Sequence, residues 1–281
     1  MGLSWNTVHQ QVLASGSADG LVKLWDVTHT TSGKSGDYIR PSATLKHHTD
    51  KVQSLAWHPS EGTLLATGGY DHKVCLVDAR SNDPQSVKRA KLLADCEALA
   101  WDPHNQHYLT VASEDGVVQC WDVRKFGADP VWSMVAHEYG GVSDISYNTK
   151  VPGMLITCSI DKTVALWDTF HSSPNPHSCG SKDMNVGRLH SVSCYPSSPW
   201  LLACGGSGNE IAIWDMEGEE SIQNRFAGRV SGKANVSDEE KEPDFEAVMA
   251  VGGDEATNKA LEGMNKSKKK QGKKKKVHKR K

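Results

Sequence analysis

The side chains able to carry chemistry are numerous but scattered. Thirteen histidines and seven cysteines are spread along 281 residues. His48 and Asp71, or His137 and Asp161, are of the types that acid–base pairs use. No catalytic framework accompanies them. There is no Gly-x-Ser-x-Gly elbow, no phosphate-cradling Gly-rich loop followed by Lys, and no His-Glu-x-x-His. Gly205-Gly206-Ser207-Gly208 lies between two apolar stretches rather than at a helix start, which makes it a turn. Neither His47-His48 nor His104/His107 has a Cys or carboxylate at ligand spacing, so no metal site is expected. The cysteines (Cys75, Cys96, Cys120, Cys158, Cys179, Cys194, Cys204) are odd in number and form no Cys-x-x-Cys pair. Several fall in apolar runs, where Cys acts as a small apolar residue, and reduced thiols in the cytosol or nucleus are expected. The residue types therefore predict no enzyme, no cofactor and no small-molecule substrate.

The elements that position these residues form a repeat. Four short apolar stretches end in Trp25-Asp26, Trp121-Asp122, Trp167-Asp168 and Trp214-Asp215, and a fifth copy reads Val77-Asp78. The paired aspartates recur at intervals of 44 to 52 residues. Six residues before each Trp or its Val substitute stands a turn residue: Asp19, Asp71, Asp115, Asp161 and, in the last copy, Gly208. Apolar runs flank each turn, so every copy predicts a β-hairpin. A third strand upstream ends in an aromatic residue: Trp5, Trp57, Trp101, Tyr147 and Tyr195. A period of this length closing on Trp-Asp is the signature of WD-repeat blades. The predicted fold is all-β, a WD-repeat β-propeller with about five blades visible.

Charge divides the chain. Lys266 to Lys281 holds eleven of the 32 Lys and Arg and no acid, leaving 21 basic against 34 acidic residues, an excess of thirteen negative charges elsewhere. An acidic body (1–227), an acidic flexible linker (228–265) and a disordered basic tail (266–281) are the expected segments. The tail cations Lys268, Lys269, Lys270, Lys273, Lys274, Lys275, Lys276, Lys279, Arg280 and Lys281 suit RNA phosphates or a nuclear and nucleolar localisation signal. In the linker, Ser237 with Glu240 fits a capping box, Phe245 to Val251 suits a short helix, and Ser237-Asp238-Glu239-Glu240 suits an acid-directed kinase. No run of 18 apolar residues exists, so no membrane-spanning helix is predicted.

Resemblance to WD-repeat proteins implies what the histidines do. In such blades the Trp indole donates to a Ser or Thr hydroxyl, which bonds a His from the entering loop, which bonds the turn Asp. By that resemblance the fourth copy has the whole set, His137, Thr157, Asp161 and Trp167. The second has His48, Thr67 and Asp71, with Val77 in place of the indole. The first keeps Ser15, Asp19 and Trp25 without an obvious His. The third has Asp115 and Trp121 but Val111 at the hydroxyl position, and the fifth has lost both Asp and hydroxyl. These side chains are then structural rather than catalytic.

Detailed spellings narrow the resemblance. His48 to Leu55 followed by Trp57-His58-Pro59, Gly69-Tyr70-Asp71-His72-Lys73-Val74, Val77-Asp78-Ala79-Arg80 and Asp122-Val123-Arg124 together resemble the periodic tryptophan protein 1 family. The resemblance covers roughly residues 1 to 227. It implies a scaffold in ribosome biogenesis, acting in rRNA processing for the large subunit in the nucleus and nucleolus. Its partners would be pre-ribosomal proteins and rRNA. Family members carry earlier blades, propellers of this class close with seven, and this chain starts inside a blade at Leu3-Ser4-Trp5. An N-terminally shortened chain with an unpaired blade edge is therefore expected. A different class is a substrate receptor of a cullin-type ubiquitin ligase, because Trp121-Asp122-Val123-Arg124 fits the Trp-Asp-x-Arg pattern. Arg124 would there be free to pair with an acidic partner of the ligase adaptor. A chromatin adaptor, with the acidic body meeting histone tails, is the related alternative. Lys51, Arg80 and Arg124 are the candidate partner contacts on the rim.

Overall fold

The computed structural model describes residues 2–29, 40–81, 83, 85–170 and 175–230. Five antiparallel sheets follow one another along the chain. The first contains β1 (Leu3–Trp5), β2 (Val12–Gly16), β3 (Val22–Asp26) and β4 (Ala43–Leu45). The second contains β5 (Val52–Trp57), β6 (Leu64–Gly69), β7 (Lys73–Asp78) and β8 (Lys88–Lys91). The third contains β9 (Cys96–Trp101), β10 (Tyr108–Ser113), β11 (Val117–Asp122) and β12 (Trp132–Val135). The fourth contains β13 (Val142–Tyr147), β14 (Met154–Ser159), β15 (Thr163–Asp168) and β16 (His177–Asp183). The fifth has three strands among the described residues, β17 (Leu189–Cys194), β18 (Leu201–Gly206) and β19 (Ile211–Asp215). Each sheet is a meander in sequence order, and the first strands β1, β5, β9, β13 and β17 pack side by side. The five blades read from the repeat are all present.

Strand alternation explains how the blades stack. On β14, Ile156 and Cys158 face the fifth blade while Leu155 and Thr157 face the third. One apolar cluster therefore fills each seam, four seams in all among the described residues. In every blade a Leu on the second strand pairs with the Trp position on the third: Leu13 with Trp25, Leu65 with Val77, Leu109 with Trp121, Leu155 with Trp167 and Leu202 with Trp214. The outward faces of the first and fifth sheets leave Leu3, Trp5, Ile211 and Ile213 exposed.

Two local devices recur. Each aspartate that closes a third strand accepts the backbone N–H two residues on, forming an Asx turn that stops the strand. Each of the four hairpin turns that carry an Asp also places a left-handed residue after it. Gly20 and Gly116 supply it in two blades, and His72 and Lys162 adopt the same positive φ in two others. At Gly116 no side chain fits, because a Cβ would collide with the His137 carbonyl.

The fifth spelling of the upstream aromatic needs correcting. Trp5, Trp57, Trp101 and Tyr147 pair with Leu13, Leu65, Leu109 and Leu155, but the residue that pairs with Leu202 is Cys194, not Tyr195. Tyr195 lies one residue past the strand, where a one-residue shift turns its ring outward, and it is exposed.

After β19 the chain turns into α1 (Glu220–Phe226) and a 3-10 turn (Ala227–Arg229), an element that no periodicity in the sequence announced. Ile222 and Phe226, four residues apart on one face of α1, are buried in the cluster shared by the fourth and fifth blades. Residues 228–230 thus continue the ordered body; the rest of the expected linker, its capping box, helix and kinase site, and the basic tail lie outside the described residues.

This C-terminal strap is anchored on Asp168, the fourth repeat aspartate. Its carboxylate accepts from Arg225 Nε at 2.7 Å and from Arg229 Nη1 and Nη2 at 2.7 and 2.9 Å. The Asp168 side chain is fully buried, whereas both arginines keep partial contact with water. Burial alone would raise the Asp168 pKa, but Arg229, the Phe170 N–H and Arg225 outweigh it and hold the pKa below 3.8. A carboxylate depressed in the folded state contributes stability above its unfolded pKa and loses it as the pH falls through the folded value. Asp168→Ala, which leaves two arginines facing a buried gap, should cost about 3 kcal/mol at neutral pH. Urea unfolding should show that cost shrinking as the pH drops below about 4. A cost independent of pH would contradict the ion-pair account.

Candidate functional site

The hydroxyl–imidazole–carboxylate sets converge inside the blades. In the fourth blade His137 Nδ1 lies 2.9 Å from Asp161 Oδ2 and His137 Nε2 lies 2.8 Å from Thr157 Oγ1. The Trp167 indole donates to the same hydroxyl at 3.1 Å. Thr163 Oγ adds a bond to Asp161 at 2.7 Å. Thr157 is fully buried and its hydroxyl is committed to His137 and Trp167. A nucleophile needs access to substrate, so this arrangement can brace a blade but presents nothing to react.

The other blades are partial versions. In the first, Trp25 donates to Ser15 Oγ at 2.9 Å, and Asp19 accepts the Leu21 N–H within its own turn. In the third, Val111 stands where the hydroxyl would be, and the buried Trp121 indole N–H has no partner among the described residues. Asp115 instead accepts from the Ser113 hydroxyl at 2.6 Å. In the fifth, Cys204 holds the hydroxyl position and the Trp214 indole turns to Glu219 of the C-terminal strap at 3.3 Å.

The second blade departs most. His48 bridges Asp71 Oδ1 and Thr67 Oγ1, each at 2.8 Å, as the repeat implies. His47 Nε2 also reaches Thr67 Oγ1 at 2.8 Å. The neighbouring histidine therefore occupies the place on the hydroxyl that the missing indole leaves. Burial lowers the His48 pKa despite the Asp71 hydrogen bond, which acts to raise it. Burial raises Asp71, yet the His48 bond and the Thr49 N–H bring it below its ordinary value overall. Cys75 corrects the expectation that no Cys joins the His47-His48 pair. Strand pairing sets it opposite Thr67, and its Sγ lies within 4.8 Å of the ligating nitrogens of both histidines.

The candidate partner contacts on the rim are placed differently from the expectation. Arg124 is 61% exposed but not free, because its Nε and Nη2 grip Asp122 at 2.9 and 2.6 Å. The two-residue spacing across the Asx turn brings guanidinium and carboxylate face to face. Arg80 grips Asp78 the same way, at 3.0 and 2.7 Å. Lys51 Nζ lies 4.2 Å from the centre of the Tyr70 ring. Tyr70 in turn donates to Glu97 at 2.8 Å, and burial, Glu97, Asp95 and Glu114 all push its phenol well above the usual range.

Two residues not singled out from the sequence stand out on the loops that enter the third and fourth blades. Leu93 is 91% exposed and Tyr139 is 89% exposed. Each lies within the few residues before a first strand, outside the strand alternation that would bury it. Large apolar side chains held in water on a rigid scaffold are what a docking surface presents. Tyr139 stands among His137, Glu138, Gly140 and Gly141, whereas Leu93 follows the buried Leu92 and no spelling tells the two leucines apart.

The unpartnered Trp121 indole yields a direct test of the blade network. Val111→Thr keeps the side-chain shape and places a hydroxyl where Ser15, Thr67 and Thr157 stand in other blades. Satisfying the buried donor should raise unfolding stability by about 1 kcal/mol, measured by denaturant titration. A loss of stability would show that the indole does not seek that hydroxyl.

Comparison with known proteins agrees with this geometry. Residues 2–167 match the family described as Nucleolar protein 10-like, N-terminal domain, a β-propeller. Periodic tryptophan protein 1 of Saccharomyces cerevisiae is 31% identical over 235 residues, covering 80% of this chain and 39% of that protein. The periodic tryptophan protein 1 homolog of Drosophila melanogaster is 30% identical over 231 residues, covering 80% of this chain and 47% of that one. The chain thus spans less than half the length of these relatives. Among solved structures, a chain of a crystal structure of the mitotic checkpoint complex superposes with a TM-score of 0.63 at 24% identity, over 76% of this chain and 60% of that one. That likeness bears on the fold alone. Five Trp-Asp-type blades, their buried hydrogen-bond centres and the match over more than half the sequence lead to one conclusion: the chain belongs to the WD-repeat β-propeller family of Nucleolar protein 10-like domains, with periodic tryptophan protein 1 among its relatives.

Proposed function

We propose that this chain is a non-enzymatic docking scaffold of ribosome biogenesis, serving rRNA processing and large-subunit assembly in the nucleolus. The observation that carries the reading is the match of residues 2–167 to a domain named for a nucleolar protein. Likeness to periodic tryptophan protein 1 supports it. So does the charge layout, an acidic body joined to a terminal segment with eleven Lys and Arg and no acid. In this reading the blades grip pre-ribosomal proteins through the loop surface that carries Leu93 and Tyr139. The basic tail holds rRNA phosphates by releasing their counterions, or directs the chain to the nucleolus.

Affinity purification of the tagged full-length protein from cells, with sequencing of bound RNA, tests the reading. Large-subunit rRNA precursors and assembly factors are expected to co-purify. Joint Leu93→Ser and Tyr139→Ser changes should cut the recovered assembly factors about tenfold while the blades stay folded. Deleting residues 266–281 should reduce RNA recovery and make what remains less sensitive to salt. Recovery of ubiquitin-ligase subunits or histones without rRNA would overturn the ribosomal reading.

A further inference from the structure

Around its central hydroxyl the second blade departs from the complete fourth blade at three positions that meet at one point. Where the fourth blade has Trp167 the second has Val77, where it has Ala165 the second has Cys75, and where it has Ala136 the second has His47. Two of these changes bring in metal-ligating side chains and the third removes a large one. The generic network already supplies a third ligand, His48.

We propose that His47, His48 and Cys75 form a binding site for a zinc-class metal ion inside the second blade. Each offers one ligand atom, and the three atoms lie within 4.8 Å of one another. All three residues are buried. Binding draws the three atoms together to the spacing that Zn–N bonds of about 2.0 Å and a Zn–S bond of about 2.3 Å set. The histidines are already aimed, because both Nε2 atoms converge on Thr67 Oγ1 at 2.8 Å. His48 is further prepared by Asp71. A carboxylate only accepts, so His48 Nδ1 carries the hydrogen that bonds Asp71 at 2.8 Å, and Nε2 keeps its lone pair. That carboxylate–histidine pairing is the outer-shell support that zinc-bound imidazoles use. A cavity of about 340 Å³ between β4 and β7 is lined by His47 and Val77, with Ala43, Leu45 and Val87 also on its wall, and gives an approach from the His47 side; His48 and Cys75 are not among its lining residues. A water molecule completes the tetrahedral set. Binding exchanges water ligands of the ion for one Zn–S and two Zn–N bonds and takes both imidazoles off the Thr67 hydroxyl. The hydrogen that His47 Nε2 gives to Thr67 shifts to Nδ1, and the Cys75 thiol proton passes to water, where buffer takes it up.

Cobalt(II) serves as the probe, because a thiolate ligand gives it a charge-transfer absorption that nitrogen and oxygen ligands do not. Full-length protein titrated with Co²⁺ should show this band at one equivalent and lose it when Zn²⁺ is added. Cys75→Ala should abolish the band, and His47→Ala should weaken Co²⁺ binding about tenfold or more. Both substitutions copy the residues of the fourth blade, and thermal melts check that the variants stay folded. Val77→Trp leaves every ligand in place but returns the indole to the ion's space, and it too should remove the band. Absence of the band from the unmodified protein, or its survival in Cys75→Ala or Val77→Trp, would overturn the proposal.

Discussion

The structure turns on how the buried polar groups at the centre of each blade are satisfied. A blade packs both faces against neighbours, so polar groups at its centre have no water to turn to. Thr157 resolves this in the fourth blade by taking His137 and Trp167 together, with Asp161 fixing the imidazole. The chain of bonds ties the entering loop, the second and third strands and the hairpin turn to one another. Because the partners come from four different segments, the centre sets how that blade closes, while the apolar seams supply most of the burial free energy.

Variation among blades shows how the same constraint is met with other means. Ser15 serves with its indole alone, His47 stands in for an absent indole, and Glu219 reaches back from the strap to Trp214. Only the third blade leaves its donor without a partner among the described residues, and there Val111 is the cause. The repeat aspartates show a parallel economy. Each caps its strand through an Asx turn, and the carboxylates of Asp78, Asp122 and Asp168 also take a cation. Arg80 and Arg124 come from two residues away, whereas Arg225 and Arg229 reach Asp168 from the strap. Arg80 and Arg124, which look available on the rim, are thus paired within the chain.

Much of this was legible from spelling. The Trp-Asp pairs and the turn aspartates follow from spacing, since a hairpin maps sequence distance onto strand pairing directly, and the missing hydroxyl at Val111 follows from the resemblance to WD-repeat blades. What escaped has a physical reason in each case. Cys75 meets His47 and His48 only through the β6–β7 register, so no linear ligand spacing exposes it. Tyr195 lost its assigned place because side chains alternate and a one-residue error reverses the face. The Asp168 clamp joins residues about sixty positions apart through a seven-residue helix too short to show a period. Leu93 and Tyr139 lie in loops, where no periodic pattern predicts burial and so none flags exposure.

The most direct test of the central interaction is a double-mutant cycle between His137 and Thr157, with unfolding free energy as the readout. If a hydrogen-bonded centre organises the blade, His137→Ala and Thr157→Val should couple by about 1 to 3 kcal/mol. Simple additivity, to within about 0.5 kcal/mol, would contradict the account and leave apolar packing alone to explain how the blades hold together.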